Sequence, residues 1–163
     1  MIVNRQDSPD RFWLPGTELG GVAPAAPPFS VLVNQPDLEV VVVSVVGEID
    51  LLTAFVLRKH LSKQLAAGPR CLVIDLSHTS FLGVTALSVL IDATQTAAHR
   101  GIRLQLIAPK RPLPARALNI AGLNRLCDIV ASGVPTSEVI EALRVAEAYP
   151  GSALDQPLNG LTP

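Results

Sequence analysis

An α/β fold with a mostly parallel sheet is predicted for residues 30–148. Apolar runs too short for helices alternate there with segments of helical period. Val40-Val41-Val42-Val43 and Leu72-Val73-Ile74 are unbroken, as expected of strands covered on both faces. Pro36, Pro69, Pro109, Pro112, Pro114 and Pro135 all fall between the expected elements or at their edges, so the local signals agree with one another.

In chain order, the strands are expected at Ser30–Val33, Leu38–Val46, Leu72–Leu76, Arg103–Ile107 and Asp128–Val130. The first helix spans about Thr53–Ala66, with Leu57, Leu61 and Leu65 on one stripe and Gly68-Pro69 as its stop. The second starts at Gly83 or Val84 and runs to His99, turning Leu87, Leu90, Ile91 and Thr94 inward, with Gly101 ending it. A short third helix covers Ala115–Ala121. The last runs from Thr136, read as its N-cap with Glu138 favourable in the first turn, to Glu147.

Outside this unit no period of 2 or 3.6 survives. Residues 1–29 and 149–163 are crowded with Pro and Gly and read as flexible tails, the first carrying a small apolar knot, Phe12-Trp13-Leu14. Of 163 residues, 13 are Lys or Arg and 14 are Asp or Glu, a net charge of −1 that excludes a basic nucleic-acid arm. Apolar residues make up 48% and aromatics only 4%, so the core must be built from Val, Leu, Ile and Ala. Residues 1–10 lack the apolar stretch of a secretory signal, and Val40–Val46 is far short of the roughly 20 residues that span a bilayer. A reducing cytoplasm and no membrane partner are the expectation.

Catalytic constellations are scarce. There is no P-loop, no G-x-G-x-x-G after a strand and no G-x-S-x-G elbow. His60, His78 and His99 are isolated from one another and from both cysteines, so they read as solvated side chains, and no metal or cofactor is expected. Cys71 opens one strand and Cys127 precedes another. Each reads as a small core residue, with a redox pair as the alternative, since strand starts in a parallel sheet share an edge.

Three segments stand out for their order: Gly47-Glu48-Ile49-Asp50-Leu51-Leu52-Thr53-Ala54; then Val73-Ile74-Asp75-Leu76-Ser77 followed by Phe81-Leu82-Gly83-Val84-Thr85-Ala86-Leu87; and finally Gly122-Leu123 after a short helix. With these segments the chain resembles the STAS domain family, in particular its stand-alone bacterial anti-sigma factor antagonists. The family pattern is G-E-[IL]-D-x-x-[ST]-A, V-[IV]-D-L-S, F-[LM]-D-S-[ST]-G-L and a later G-L. The similarity covers about 38–146. It implies a mixed, mostly parallel sheet of four or five strands with helices packed mainly on one face. It also implies a partner switch in place of an enzyme: the unphosphorylated domain binds an anti-sigma factor with a kinase-like fold, a sigma factor is freed, and phosphorylation of the first Ser of D-S-[ST]-G breaks the complex. The physical reason is that a phosphoryl group adds roughly −1.5 to −2 charges at a helix N-terminus.

This sequence departs from the pattern at that motif. Gly83 replaces the acidic residue, Val84 the acceptor serine and Ala86 the glycine, while Thr85 keeps the following hydroxyl. Valine cannot accept phosphate, and Thr85, the remaining candidate acceptor, lies about 100° further round the helix. The expected function is therefore that of a non-catalytic regulator binding an anti-sigma factor through Glu48, Asp50, Thr53, Gly83, Val84, Thr85 and Ser88, without the usual serine switch. The alternative is a STAS module sensing a nucleotide or acyl group, because the free N–H groups of a glycine-bearing helix start suit an anion.

Overall fold

A computed structural model describes residues 29–148. Apart from Phe29, both expected tails, and with them the Phe12-Trp13-Leu14 knot, lie outside the described residues. Five strands, β1 (Ser30–Asn34), β2 (Val40–Ile49), β3 (Cys71–Leu82), β4 (Arg103–Ile107) and β5 (Asp128–Val130), form one sheet in the order β1-β2-β3-β4-β5. β1 is antiparallel to β2, and every other pairing is parallel. The connecting helices are α1 (Leu51–Ala67), α2 (Val84–His99), α3 (Pro112–Ile120) and α4 (Thr136–Ala148), with a 3-10 turn at Leu123–Arg125.

Strand alternation splits the sheet into two apolar faces. Val41, Val43, Val45, Leu72, Ile74, Leu76, Leu104 and Leu106 meet Leu57, Leu61 and Leu65 of α1, Ala86, Leu90 and Ala97 of α2, and Leu118 of α3. The opposite residues, Val40, Val42, Cys71, Val73 and Ile107, are covered by Val139, Ile140 and Leu143 of α4. Three helices thus lie on one face and one on the other, which is why the β2 and β3 runs are apolar without a break. Each fully buried Leu or Ile contributes about 1.5–3 kcal/mol of transfer free energy.

Several boundaries differ from expectation, among them the end of β2, at Ile49 rather than Val46. β2 begins at Val40, not Leu38, because the Asp37 carboxylate accepts the amides of Glu39 and Val40 at 2.8 Å and holds a turn there. β3 does not stop at Leu76. Its polar stretch Ser77–Ser80 stays extended because β2 continues beside it, pairing His78 with Val46 and Leu82 with Ile49. Buried Thr79 satisfies its hydroxyl on the Val45 carbonyl at 3.3 Å. α3 opens at Pro112, where proline loses no helical hydrogen bond. Thr136 is the first helical residue of α4 rather than its N-cap: the first-turn amides of Glu138 and Val139 bond to the Pro135 carbonyl, and the Thr136 hydroxyl reaches Asp75 Oδ2 at 3.3 Å.

Candidate functional site

β2 and β3 outrun the rest of the sheet, since β3 pairs with β4 only as far as Asp75. Their last residues form a projecting rim from which α1 and α2 both start. Gly47 has φ +91° and sits at a register shift between Gly47 and Glu48, where a side chain would be strained. Beyond this bulge Glu48 is exposed and lies in register with Phe81.

Asp50 then caps α1. Its Oδ1 accepts the amides of Leu52 at 3.0 Å and Thr53 at 2.9 Å, while Thr53 Oγ1 accepts the Asp50 amide at 2.8 Å, a reciprocal capping box. The Thr53 hydroxyl proton lies between Asp50 Oδ1 at 2.8 Å and the Glu48 carbonyl at 3.0 Å. These bonds, led by the Thr53 amide, hold the Asp50 carboxyl below its ordinary pKa of 3.8. This N-cap stands three residues before the expected start, so α1 begins at Leu51 rather than Thr53.

α2 starts differently. Gly83 is its N-cap and supplies no side-chain acceptor. The Gly83 amide donates to the Ile49 carbonyl at 2.9 Å, tying the two turns together, and a Cβ at Gly83 would lie 3.3 Å from that oxygen and 3.8 Å from Asp50 Cα. Val84 is 82% exposed. Thr85 is half-buried, and the exposed Ser88 donates its hydroxyl to the Val84 carbonyl at 3.2 Å. Glu48, Asp50, Thr53, Gly83 and Val84 therefore share one rim, with Thr85 and Ser88 in the first turns of the helix leaving it.

The motifs did not single out the apolar surface around this rim. Leu51, Leu52, Phe55 and Val56 of α1 are exposed, Leu52 by 74% and Phe55 by 59%, and Phe81, whose ring lies 3.5 Å from where a Cβ at Gly83 would stand, is exposed too. The α1 residues lie on the side away from buried Ala54, Leu57, Leu61 and Leu65. Lys59 and Lys63 continue that side towards the C-terminus, both exposed and without an ion pair among the described residues. Arg58 turns instead to Asp92 of α2 at 3.2 Å. The signal was available: four large apolar residues stand off the core stripe within two turns.

Neither cysteine is in a disulfide, and the sheet separates them. Cys71 packs in the α4-side cluster, whereas Cys127 packs against the α1/α2-side cluster, where burial pushes its thiol pKa up. The geometry does not bring the two thiols together as a redox pair. His78 Nδ1 is 2.9 Å from Ser77 Oγ and His99 Nδ1 is 2.8 Å from the Gln95 carbonyl; His60, expected to be solvated, is half-buried. Among the described residues no cluster of three or more His, Cys, Asp or Glu is placed to hold a metal, and no helix is long and apolar enough to cross a membrane. An open depression of about 350 Å³ along Asp92, Gln95, Thr96, His99 and Arg100 lies towards the far end of α2, away from Gly83.

A sheet with one antiparallel edge pairing and three parallel pairings is a fold shared with known proteins. The chain matches the STAS domain over residues 31–137 and belongs to that family. It is 34% identical over 99 residues to the anti-sigma-F factor antagonist RsfB of Mycobacterium tuberculosis, a match covering 60% of this chain and 80% of the relative. The crystal structure of an anti-sigma factor antagonist from Mycobacterium paratuberculosis superposes with a TM-score of 0.64 at 29% identity, covering 74% of this chain and 97% of that one. The Bacillus cell fate determinant SpoIIAA in its phosphorylated form shares the fold, with a TM-score of 0.59 at 17% identity over 71% of this chain and 100% of that one.

Proposed function

We propose that this chain is a non-catalytic anti-sigma factor antagonist that docks on an anti-sigma factor through the rim formed by Glu48–Val56 and Phe81–Ser88. The observation that carries the reading is the exposed apolar set Leu51, Leu52, Phe55, Val56, Phe81 and Val84, gathered around two helix starts that a backbone hydrogen bond joins. Exposed large side chains in one patch, bordered by polar groups, suit a protein partner better than a small ligand. The similarity to antagonists that cover nearly the same span supports the choice of partner class.

The partner is expected to be an anti-sigma factor of kinase-like fold, and binding is expected to ignore that kinase activity. At the position matching the acceptor serine, Val84 offers an apolar contact and no hydroxyl. Thr85, one residue on, is half-buried and off the exposed stripe.

The test is titration calorimetry with an anti-sigma factor from the same cell, followed by intact-mass measurement after incubation with ATP. The expected result is a complex and no added phosphate. A phosphate on the wild-type chain that disappears in Thr85→Ala would restore the ordinary switch, and no association with any anti-sigma factor would remove the reading.

A further inference from the structure

We propose that the segment Asp7–Leu14 of this chain folds back onto the apolar rim and competes there with the protein partner. The regulatory consequence rests on the antagonist reading; the cover itself does not.

The first support is where the chain leaves the domain. β1 is antiparallel to β2, with Ser30 opposite Val46, so the chain preceding Ser30 leads towards the rim end of β2, and Phe29 already packs against the α1/α2-side cluster. The chain thus enters the domain at the rim, not at the opposite end of the sheet. Trp13 lies 16 residues before Phe29. The residues between them include four prolines and three glycines, so their reach is at least the roughly 22 Å root-mean-square of a Gly-rich chain of that length, against a radius of gyration of about 14 Å for a domain of this size. The rim is within range.

The second support is chemical complementarity. Phe12, Trp13 and Leu14 are consecutive, and Trp13 is the only tryptophan of the chain. Large aromatic side chains are what an exposed patch of Leu, Val and Phe accommodates. Asp7 and Asp10 precede this knot, and on α1 the apolar residues Leu52 and Val56 are followed on the same side by Lys59 and Lys63, which have no ion pair among the described residues. Lys59 and Lys63 stand about 6 to 12 Å along the axis from Phe55, by helical rise. Asp10 and Asp7 can stand up to roughly 10 and 20 Å from Trp13 along an extended chain, so both acids can face both lysines while the knot sits on the rim. Arg11 alone opposes them within the segment.

A tether of this kind presents its segment at an effective concentration on the order of 1 mM, so even a contact of millimolar strength covers the rim about half the time. An incoming partner then binds only the uncovered fraction, and its apparent affinity falls in proportion.

The test uses the full chain and needs no partner. Acrylamide quenching of Trp13 is compared in wild type, Phe55→Asp, Val84→Asp and, as a substitution on exposed α3, Leu113→Asp, with circular dichroism confirming the fold of each. The expected result is quenching reduced about twofold or more relative to a free tryptophan amide, as half-occupancy requires. The shielding should be independent of chain concentration, lost in Phe55→Asp and Val84→Asp, and kept in Leu113→Asp. Free-tryptophan quenching in wild type overturns the proposal. So does shielding that survives both rim variants, that disappears in Leu113→Asp, or that fades on dilution, which would place the segment on a second copy. With an anti-sigma factor in hand, Trp13→Ala should bind it roughly two- to tenfold more tightly. Shielding without any anti-sigma factor binding would leave the cover intact and remove only the antagonist reading.

Discussion

The two helices that leave the rim begin in opposite ways. α1 starts with a closed circuit of hydrogen bonds around Asp50 and Thr53, while α2 starts on Gly83 with no side-chain cap and an apolar residue facing water. Both starts are held in place, α1 by its own side chains and α2 by the bond from its N-cap amide to Ile49. The α1 start is fixed by its own capping box, whereas the α2 start has no side-chain cap and leaves the Val84 side chain exposed.

The comparison can be sharpened first within α1. Leu57 is fully buried and Phe55 largely exposed, although they are two residues apart. Leu57→Ala is expected to cost about 2–5 kcal/mol of stability, read from the urea midpoint, because it leaves a cavity under both helices. Phe55→Asp and Val84→Asp should each weaken anti-sigma factor binding by about 2 kcal/mol or more, roughly thirtyfold, in calorimetry. Their stability should stay within about 0.5 kcal/mol of wild type, as for surface positions. Equal binding by these variants would break the assignment of contact to the α2 start and its apolar surroundings.

Gly83→Ala should lower stability by about 0.5–1 kcal/mol, because alanine is a poor N-cap and its Cβ must displace the Ile49 carbonyl or be displaced by it. Asp50→Ala should lower the melting temperature measurably, by less than Leu57→Ala, since the cap is exposed. It should also flatten the acid limb of the stability curve. The folded-state pKa of Asp50 lies below 3.8, so its contribution is fully present above that value and is lost as pH falls through the lower folded-state value. An acid limb unchanged in Asp50→Ala would show that the capping box does not set the geometry of α1.

Much of the architecture was legible because periodicity reports burial. Leu57, Leu61 and Leu65 define the inner stripe of α1 from the sequence alone, and the unbroken valines of β2 anticipate a sheet with cover on both faces. The second half of β3 was not legible. Ser77-His78-Thr79-Ser80 has turn composition, and only the continuation of β2 beside it keeps it extended. The motifs located the rim but not its chemistry, since apolar residues near a core stripe are easily counted as core; the exposure of Leu51, Leu52, Phe55 and Val56 follows from helical phase once α1 is known to begin at Leu51. Cys71 lies out of phase with Leu72 on β3, so parity sends it to the other side of the sheet from Cys127, a relation that spacing alone cannot reveal.

The hydrogen bond from Gly83 to Ile49 makes residues 50 and 83 neighbours through main chain, although 33 positions separate them. A displacement of one turn is a displacement of the other. A side chain at 83 would require the carbonyl at 49 to yield, and with it the N-cap of α1. Grafting this surface onto another scaffold would demand both turns together.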